Sequence, residues 1–175
     1  MADLTPVQGT PTAPAAAEVA SAARPSGRES STAVPSAAEL TAWRAFLRAH
    51  AVIARQLEAE LVSAHQLPLA WYDVLVQLAE APDCRLRMTE LADRVLLSRS
   101  GLTRLVDRLA AEGLVTRAAC PSDARGAFAV LTGAGRARLR AAAPTHLRGI
   151  AAHMTGRFSP AELEALRHLL VRLTD

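Results

Sequence analysis

The sequence predicts a mostly α-helical fold with a small β-hairpin, and three observations lead there. Half of the 175 residues are hydrophobic but only 3% are aromatic, so the core must be built from Leu, Ala and Val, which pack as bundles at helical spacing. Apolar residues do recur at intervals of three, four and seven along most of the chain. Between Gly113 and Thr132 that rhythm stops. There two short runs, Leu114 to Ala119 and Ala127 to Leu131, flank a polar, proline-containing turn, which is the pattern of a hairpin. The length suits one domain of ordinary size.

Residues 1–37 hold five of the ten prolines, many Ala, Ser and Thr, and almost no large apolar side chain. That is too little to offset the entropy of ordering, so a disordered tail is expected ahead of a single domain over 38–175. Order should begin at Ser36, because Ser36-Ala-Ala-Glu39 has capping-box spacing. The first helix, to about Ala64, carries Leu40, Trp43, Leu47, Ala54, Leu57 and Leu61 on one stripe, widened by Phe46 and Ile53. Pro68 restarts the chain as a second helix, Leu69 to Glu80, with Trp71, Val74, Leu75 and Leu78 inward, and Ala81-Pro82-Asp83 breaks it. A third, short helix is expected from Thr89 as N-cap to Val95, with Glu90 in its first turn. Leu96 and Leu97 then turn tightly into a fourth helix, Ser98 to Glu112, stopped by Gly113. After the hairpin, Thr132 caps a fifth helix through Arg136, Leu139 and Leu147, with a bend expected at Pro144. A sixth begins at the capping box Ser159-Pro-Ala-Glu162 and carries Leu163, Leu166, Leu170 and Leu173.

The net charge of +3 is unevenly spread. Residues 85–140 hold 11 Arg against 5 acids, whereas residues 38–84 hold 3 Arg against 6 acids. A concentrated positive region is what a phosphate backbone attracts. Cys84 and Cys120 form no metal or disulfide spacing, and both are expected in loops as spectator thiols. His146 and His153 can share a helix face but lack a third ligand, so neither a metal nor any other cofactor is expected. The amino terminus lacks a basic segment followed by an apolar stretch, and no run approaches the roughly 20 apolar residues that cross a bilayer. A cytoplasmic protein without membrane contact is the expectation.

The basic region contains SRSGLTRLVDRLAAEGLV, residues 98–115. Leu102, Leu105, Val106 and Leu109 stand at i, i+3, i+4 and i+7 and must face the core. Ser98 opens the helix, and Arg99, Ser100, Thr103 and Arg104 are left outside. All are hydrogen-bond donors, and the arginine fork matches guanine O6 and N7 in a major groove. A short helix, a tight turn and a second helix place that second helix in a groove. The hairpin tip, Asp123-Ala-Arg125-Gly126, is read as a loop whose arginine can enter a narrow, electronegative minor groove. Together these features read as a winged helix-turn-helix for double-stranded DNA.

SRSGLTRLVDRLAAEGLV followed by DARGAFAVLTGAGR resembles the MarR family of bacterial winged-helix transcription regulators, over about Glu39 to Asp175. The resemblance implies a DNA-binding lobe over 69–131 and a helical dimerisation region built from 38–64 and 132–175. It implies that Arg125 enters the minor groove with Asp123 holding it, and that the first, fifth and sixth helices interlock in a homodimer. Two reading helices a helical turn apart then read a palindrome. It further implies release of DNA when a small phenolic or anionic effector enters the crevice beside the dimer helices. By position His50, Trp71, Tyr72 and Asp73 line that crevice, with Trp43 further along, and the alternative for each is core packing. The function expected is therefore a homodimeric repressor released from a palindromic operator by a small molecule. The alternatives are a winged-helix module for protein contacts, or a redox-responsive regulator using Cys84 or Cys120. A Ser/His/Asp order, a paired-carboxylate setting and a phosphate loop are all lacking, which argues against an enzyme.

Overall fold

Helix periodicity and capping chemistry set most of the element boundaries. The structure, a computed structural model, describes residues 34–120 and 123–174, apart from the side chains of 123–125. The expected tail therefore lies, up to residue 33, outside the described residues. Helix α1 spans Ala37–His65 and α2 spans Leu69–Glu80. A 3-10 turn, Pro82–Cys84, leads through strand β1, Arg85–Arg87, into α3, Met88–Arg94, and then α4, Arg99–Ala111. Strands β2, Val115–Cys120, and β3, Asp123–Leu131, precede α5, Gly133–His153. A second 3-10 turn, Thr155–Arg157, joins α5 to α6, Pro160–Val171. The fold is mostly α with a small antiparallel sheet as its wing. Among the described residues no helix is long and apolar enough to cross a membrane.

The buried side chains show why the elements assemble as they do. Val74, Leu75 and Leu78 of α2 meet Leu91 of α3, the apolar stripe of α4, and Leu86, Val115, Ala129 and Leu131 of the sheet in one core. Most of these are wholly buried, and each such leucine contributes about 1.5–3 kcal/mol. Pro68 gives α2 no side-chain cap of its own. Its orphan Leu69 amide instead donates to Glu58 Oε2 of α1 at 2.5 Å, so one helix caps another. By contrast α6 buries no residue, and α1, α5 and α6 leave Trp43, Phe46, Leu47, Leu147, Leu169 and Val171 exposed.

Four expectations need correction. The sheet has a third strand, β1, in the order β1-β3-β2, with Leu86 paired to Ala129 and buried while Arg85 and Arg87 face out. Because β1 runs straight into α3, the N-cap of that helix is Arg87, without a side-chain bond, and not Thr89. The hairpin ladder continues to a Cys120–Asp123 pair past a register shift, which puts the backbone of Arg125 in β3 and not in a tip loop. The small residues Ala and Gly do not announce that extension of the strand. Neither cysteine lies in a loop: Cys84 ends the 3-10 turn, and Cys120 ends β2 and is buried. At Pro144, α5 runs on as one helix through to His153.

Candidate nucleic-acid interface

Helix α4 is fixed at both ends by local chemistry. Ser98 is its N-cap, its Oγ accepting from the Gly101 amide at 3.1 Å. At the other end Gly113 takes φ 69°, a left-handed conformation that costs glycine least. The Gly113 and Leu114 amides then donate to Ala110 and Leu109 carbonyls, each at 2.9 Å, closing a Schellman motif. Leu102, Leu105, Val106 and Leu109 are buried, so Arg99, Ser100, Thr103, Arg104, Asp107 and Arg108 are presented outward, all exposed.

The electrostatics of that outer face are one-sided. Thr103 donates to the Arg99 carbonyl at 2.9 Å, which leaves its oxygen lone pairs available. Asp107 is the only acid within Arg99–Ala111, and Arg117 of β2 engages it at 2.8 Å. Arg117 also reaches the Thr103 carbonyl at 3.4 Å, tying the wing strand to the helix. Among the described residues no protein group engages the guanidinium of Arg99, Arg104 or Arg108. On the outer side of the sheet, Arg85 and Arg87 lie over the Phe128 ring at 5.3 and 5.8 Å. The expected hold of Asp123 on Arg125 concerns side chains outside the described residues. The surface can therefore offer cationic forks to an acceptor-lined partner, with its one helical acid neutralised.

A model of the MarR family matches residues 65–126. Sco3205, a MarR family transcriptional regulator from Streptomyces coelicolor solved in complex with DNA, is 36% identical, with a TM-score of 0.77, over 81% of this chain and 89% of its own. The chain belongs to the MarR family. AbsC, another MarR family transcriptional regulator of Streptomyces coelicolor, is 34% identical with a TM-score of 0.76, over 82% of this chain and 96% of its own. The HTH-type transcriptional repressor YetL of Bacillus subtilis (strain 168) is 39% identical over 83 residues, so the match spans 50% of that curated relative. These relatives are transcription regulators, not enzymes.

In this MarR family chain the five expected crevice residues do not form one wall. His50 and Asp73 line a cavity of about 670 Å³ with Phe46, Leu57, Phe158 and Leu170. Tyr72 and Asp73 line a second, of about 530 Å³, with Glu80, Arg94 and Leu96. Trp71 lines a third, of about 350 Å³, with Gln66, Glu112 and Arg138. Trp43 stacks on Phe46, centroids 6.1 Å apart, and lies outside these three. His146, read from sequence only as a weak metal candidate, lines both larger cavities and packs on Tyr72 with centroids 4.3 Å apart. His153 is elsewhere, 2.6 Å from Glu60, and no metal-ligating group of three or more is assembled among the described residues.

Burial shifts the titration of this cluster. Desolvation, then Glu58, pushes the Asp73 carboxyl above the usual range, although it stays accessible through the cavities. Desolvation, then Asp73 and Glu80, pushes Tyr72 up, and desolvation alone pushes His146 down. Nothing in the sequence announces Glu58 or His146 here, since each acts through a tertiary contact.

Proposed function

We propose that this chain is a sequence-specific regulator that binds double-stranded DNA as a homodimer, represses from a palindromic operator, and is released by a small molecule. One observation carries the reading: the exposed face of α4 holds three arginine guanidinium groups without protein partners among the described residues, while its single acid is paired away. Such a face matches the phosphates and base edges of a DNA groove. Arg99, Ser100, Thr103 and Arg104 supply base contacts, Ser98 holds the helix start, and Asp123 and Arg125 work at the minor groove. Residues 69–131 form the reading lobe. Residues 38–64 and 132–175 pair the protomers, a role supported by the exposed apolar side chains of α1, α5 and α6. The capture of Sco3205 with DNA supports the DNA half of this reading. The cavities beside α2 support the ligand half, and the protein works where the chromosome is, in the cytoplasm.

A mobility shift with DNA from upstream of the protein's own gene tests this. The parent should retard it, and Arg104→Ala should cost about 1–3 kcal/mol on the bound site and much less on random DNA. Arg125→Ala should weaken both more evenly and flatten the slope of log affinity against log salt by about one unit. If neither substitution alters affinity for either DNA, the basic face is only a solvated surface and the proposal fails.

A further inference from the structure

The cavity of about 350 Å³ lies apart from the faces proposed to pair two copies. It is lined by Gln66 and Leu67 of the link between α1 and α2, Trp71 of α2, Glu112 and Leu114 where α4 gives way to β2, and Arg138 of α5. None of these residues belongs to α1 or α6. Arg138 stands on the side of α5 that faces inward. Ala142, Thr145 and Gly149 follow it at steps of four, three and four residues, on one stripe. Ala142 is buried, Thr145 meets His65 at 2.9 Å, and Gly149 lies against Leu57 and Glu60, so this stripe packs on the chain's own α1. Leu147, the large apolar side chain that α5 leaves exposed, stands nine residues beyond Arg138 and so about 180° round the helix. A second copy seated on the exposed apolar side chains of α1, α5 and α6 therefore meets the far side of α5 and leaves this cavity open.

Opposite charges line the cavity without pairing. The guanidinium of Arg138 is anchored, its Nη2 donating to the His65 carbonyl. Its Nε is shielded from solvent and has no partner, and its other N–H groups have none among the described residues. Glu112, the C-cap of α4, is exposed, and its carboxylate engages no group among the described residues. The carboxyl end of α4 adds partial negative charge beside it. Leu67, Trp71 and Leu114 give the same cavity apolar surface. Its volume falls in the roughly 300–1,000 Å³ range of small-molecule sites. A ligand with only a carboxylate satisfies Arg138 and meets Glu112 with like charge, and one with only an ammonium does the reverse. A ligand that carries both satisfies both walls.

The structure assigns this cavity to an α-amino acid with an apolar side chain, its carboxylate on the Arg138 guanidinium, its ammonium on Glu112 and its side chain against Trp71 and Leu114. This names a ligand class for the regulator proposed above and rests on that reading. A ligand held there ties the end of the reading helix to α2 and α5.

Calorimetric titration of the full chain with L-leucine, 4-methylpentanoate and 3-methylbutylammonium, one side chain with both charged groups or either alone, tests the assignment. Leucine should bind about tenfold or more tightly than each of the others. Glu112→Gln, at an exposed position, should bring leucine down to the level of 4-methylpentanoate. Arg138→Gln should bring it down to that of 3-methylbutylammonium. Because Arg138 also holds the His65 carbonyl, Glu112→Gln decides alone if Arg138→Gln does not fold. The assignment is overturned if either single-charge probe binds as tightly as leucine, or if leucine keeps its advantage over 4-methylpentanoate in Glu112→Gln. It is equally overturned if that over 3-methylbutylammonium persists in a folded Arg138→Gln protein, or if no probe binds at millimolar concentration. Retardation of DNA without ligand is measured separately. Retardation with no preference for leucine sinks only the amino-acid assignment, whereas that preference with no retardation sinks the regulator and leaves the Arg138–Glu112 site standing.

Discussion

Replacing Gly135 by alanine tests how the wing is anchored to α5. A Cβ at this position would stand 2.1 Å from the Leu114 carbonyl oxygen and 2.8 Å from Leu131 Cδ1. The first of these is backbone, so the clash cannot be relieved by turning a flexible side chain. That carbonyl already accepts from the Thr132 amide at 3.2 Å and from Thr132 Oγ1 at 3.0 Å. Thr132 Oγ1 in turn caps α5 by accepting from the Gly135 amide at 3.0 Å. Moving Leu114 therefore loosens the strand end and the cap together. Overpacking of this kind costs about 1–3 kcal/mol. A weakened cap adds about 0.5–2 kcal/mol. The better helix propensity of alanine returns at most about 1 kcal/mol. The net loss centres near 2 kcal/mol, which lowers Tm by roughly 4–8 °C for a chain of this size. Circular dichroism melts at matched concentration, with Gly133→Ala as control, give the comparison. Gly133 has nothing within 4 Å of the added methyl, so that variant should melt with the parent or slightly above it. A Gly135→Ala protein melting within a degree of the parent would refute the reasoning.

Asp73→Asn should stabilise the free protein at neutral pH. The folded pKa of Asp73 is raised, so the stability linked to it is present in acid and lost as pH rises through that folded value. Melts from pH 7 downward should show the variant's advantage closing toward about pH 4, and an advantage that grows in acid would reverse the assigned sign. Leu102→Ala should cost about 2–5 kcal/mol by urea unfolding, because the side chain is fully buried between α4 and the core. Ser159→Ala should fray α6 and raise the Glu162 pKa part of the way, read by NMR titration, since the Ser159 amide and then its hydroxyl hold that carboxyl below the usual range and the variant loses only the hydroxyl. An unchanged Glu162 titration would mean the capping box does not persist in solution.

What could be read from sequence was what local chemistry decides. The stripe of Leu102, Leu105, Val106 and Leu109 is a property of one helix, and its burial follows from spacing alone. Gly113 and the Ser159–Glu162 box are likewise signals that act within a few residues. Strand β1 was missed because three residues with one apolar side chain make no pattern, and its partner Ala129 lies far along the chain. Arg117 could not be paired with Asp107 without knowing how β2 lies against α4. The residues expected at the crevice divide between cavities for a simpler geometric reason. Trp71 and Asp73 stand two residues apart on a helix, so their side chains diverge by about 200° and point to different sides. Trp71 and Asp73 accordingly line different cavities, and only the tertiary arrangement brings His146 to the second.

Helix α2 is where a ligand and an operator would have to communicate. It is capped from α1 by Glu58, stacks Tyr72 on His146 of α5, and packs Val74, Leu75 and Leu78 into the core shared with α3, α4 and the sheet. A core this closely packed transmits displacement and does not absorb it. A ligand lodged beside α2 therefore either fits its cavity as it stands or shifts α2, and with it the reading helix seated on the same core. In a dimer on a palindrome the two reading helices must keep one helical turn of separation, about 34 Å, so a small shift at each protomer is felt twice. Such a ligand lowers DNA affinity only by the ratio of its affinities for the two spacings, whatever its absolute affinity. By the same linkage, an operator bound as proposed would weaken a releasing ligand by an equal factor, so ligand affinity measured with and without operator is the stricter test of communication through α2.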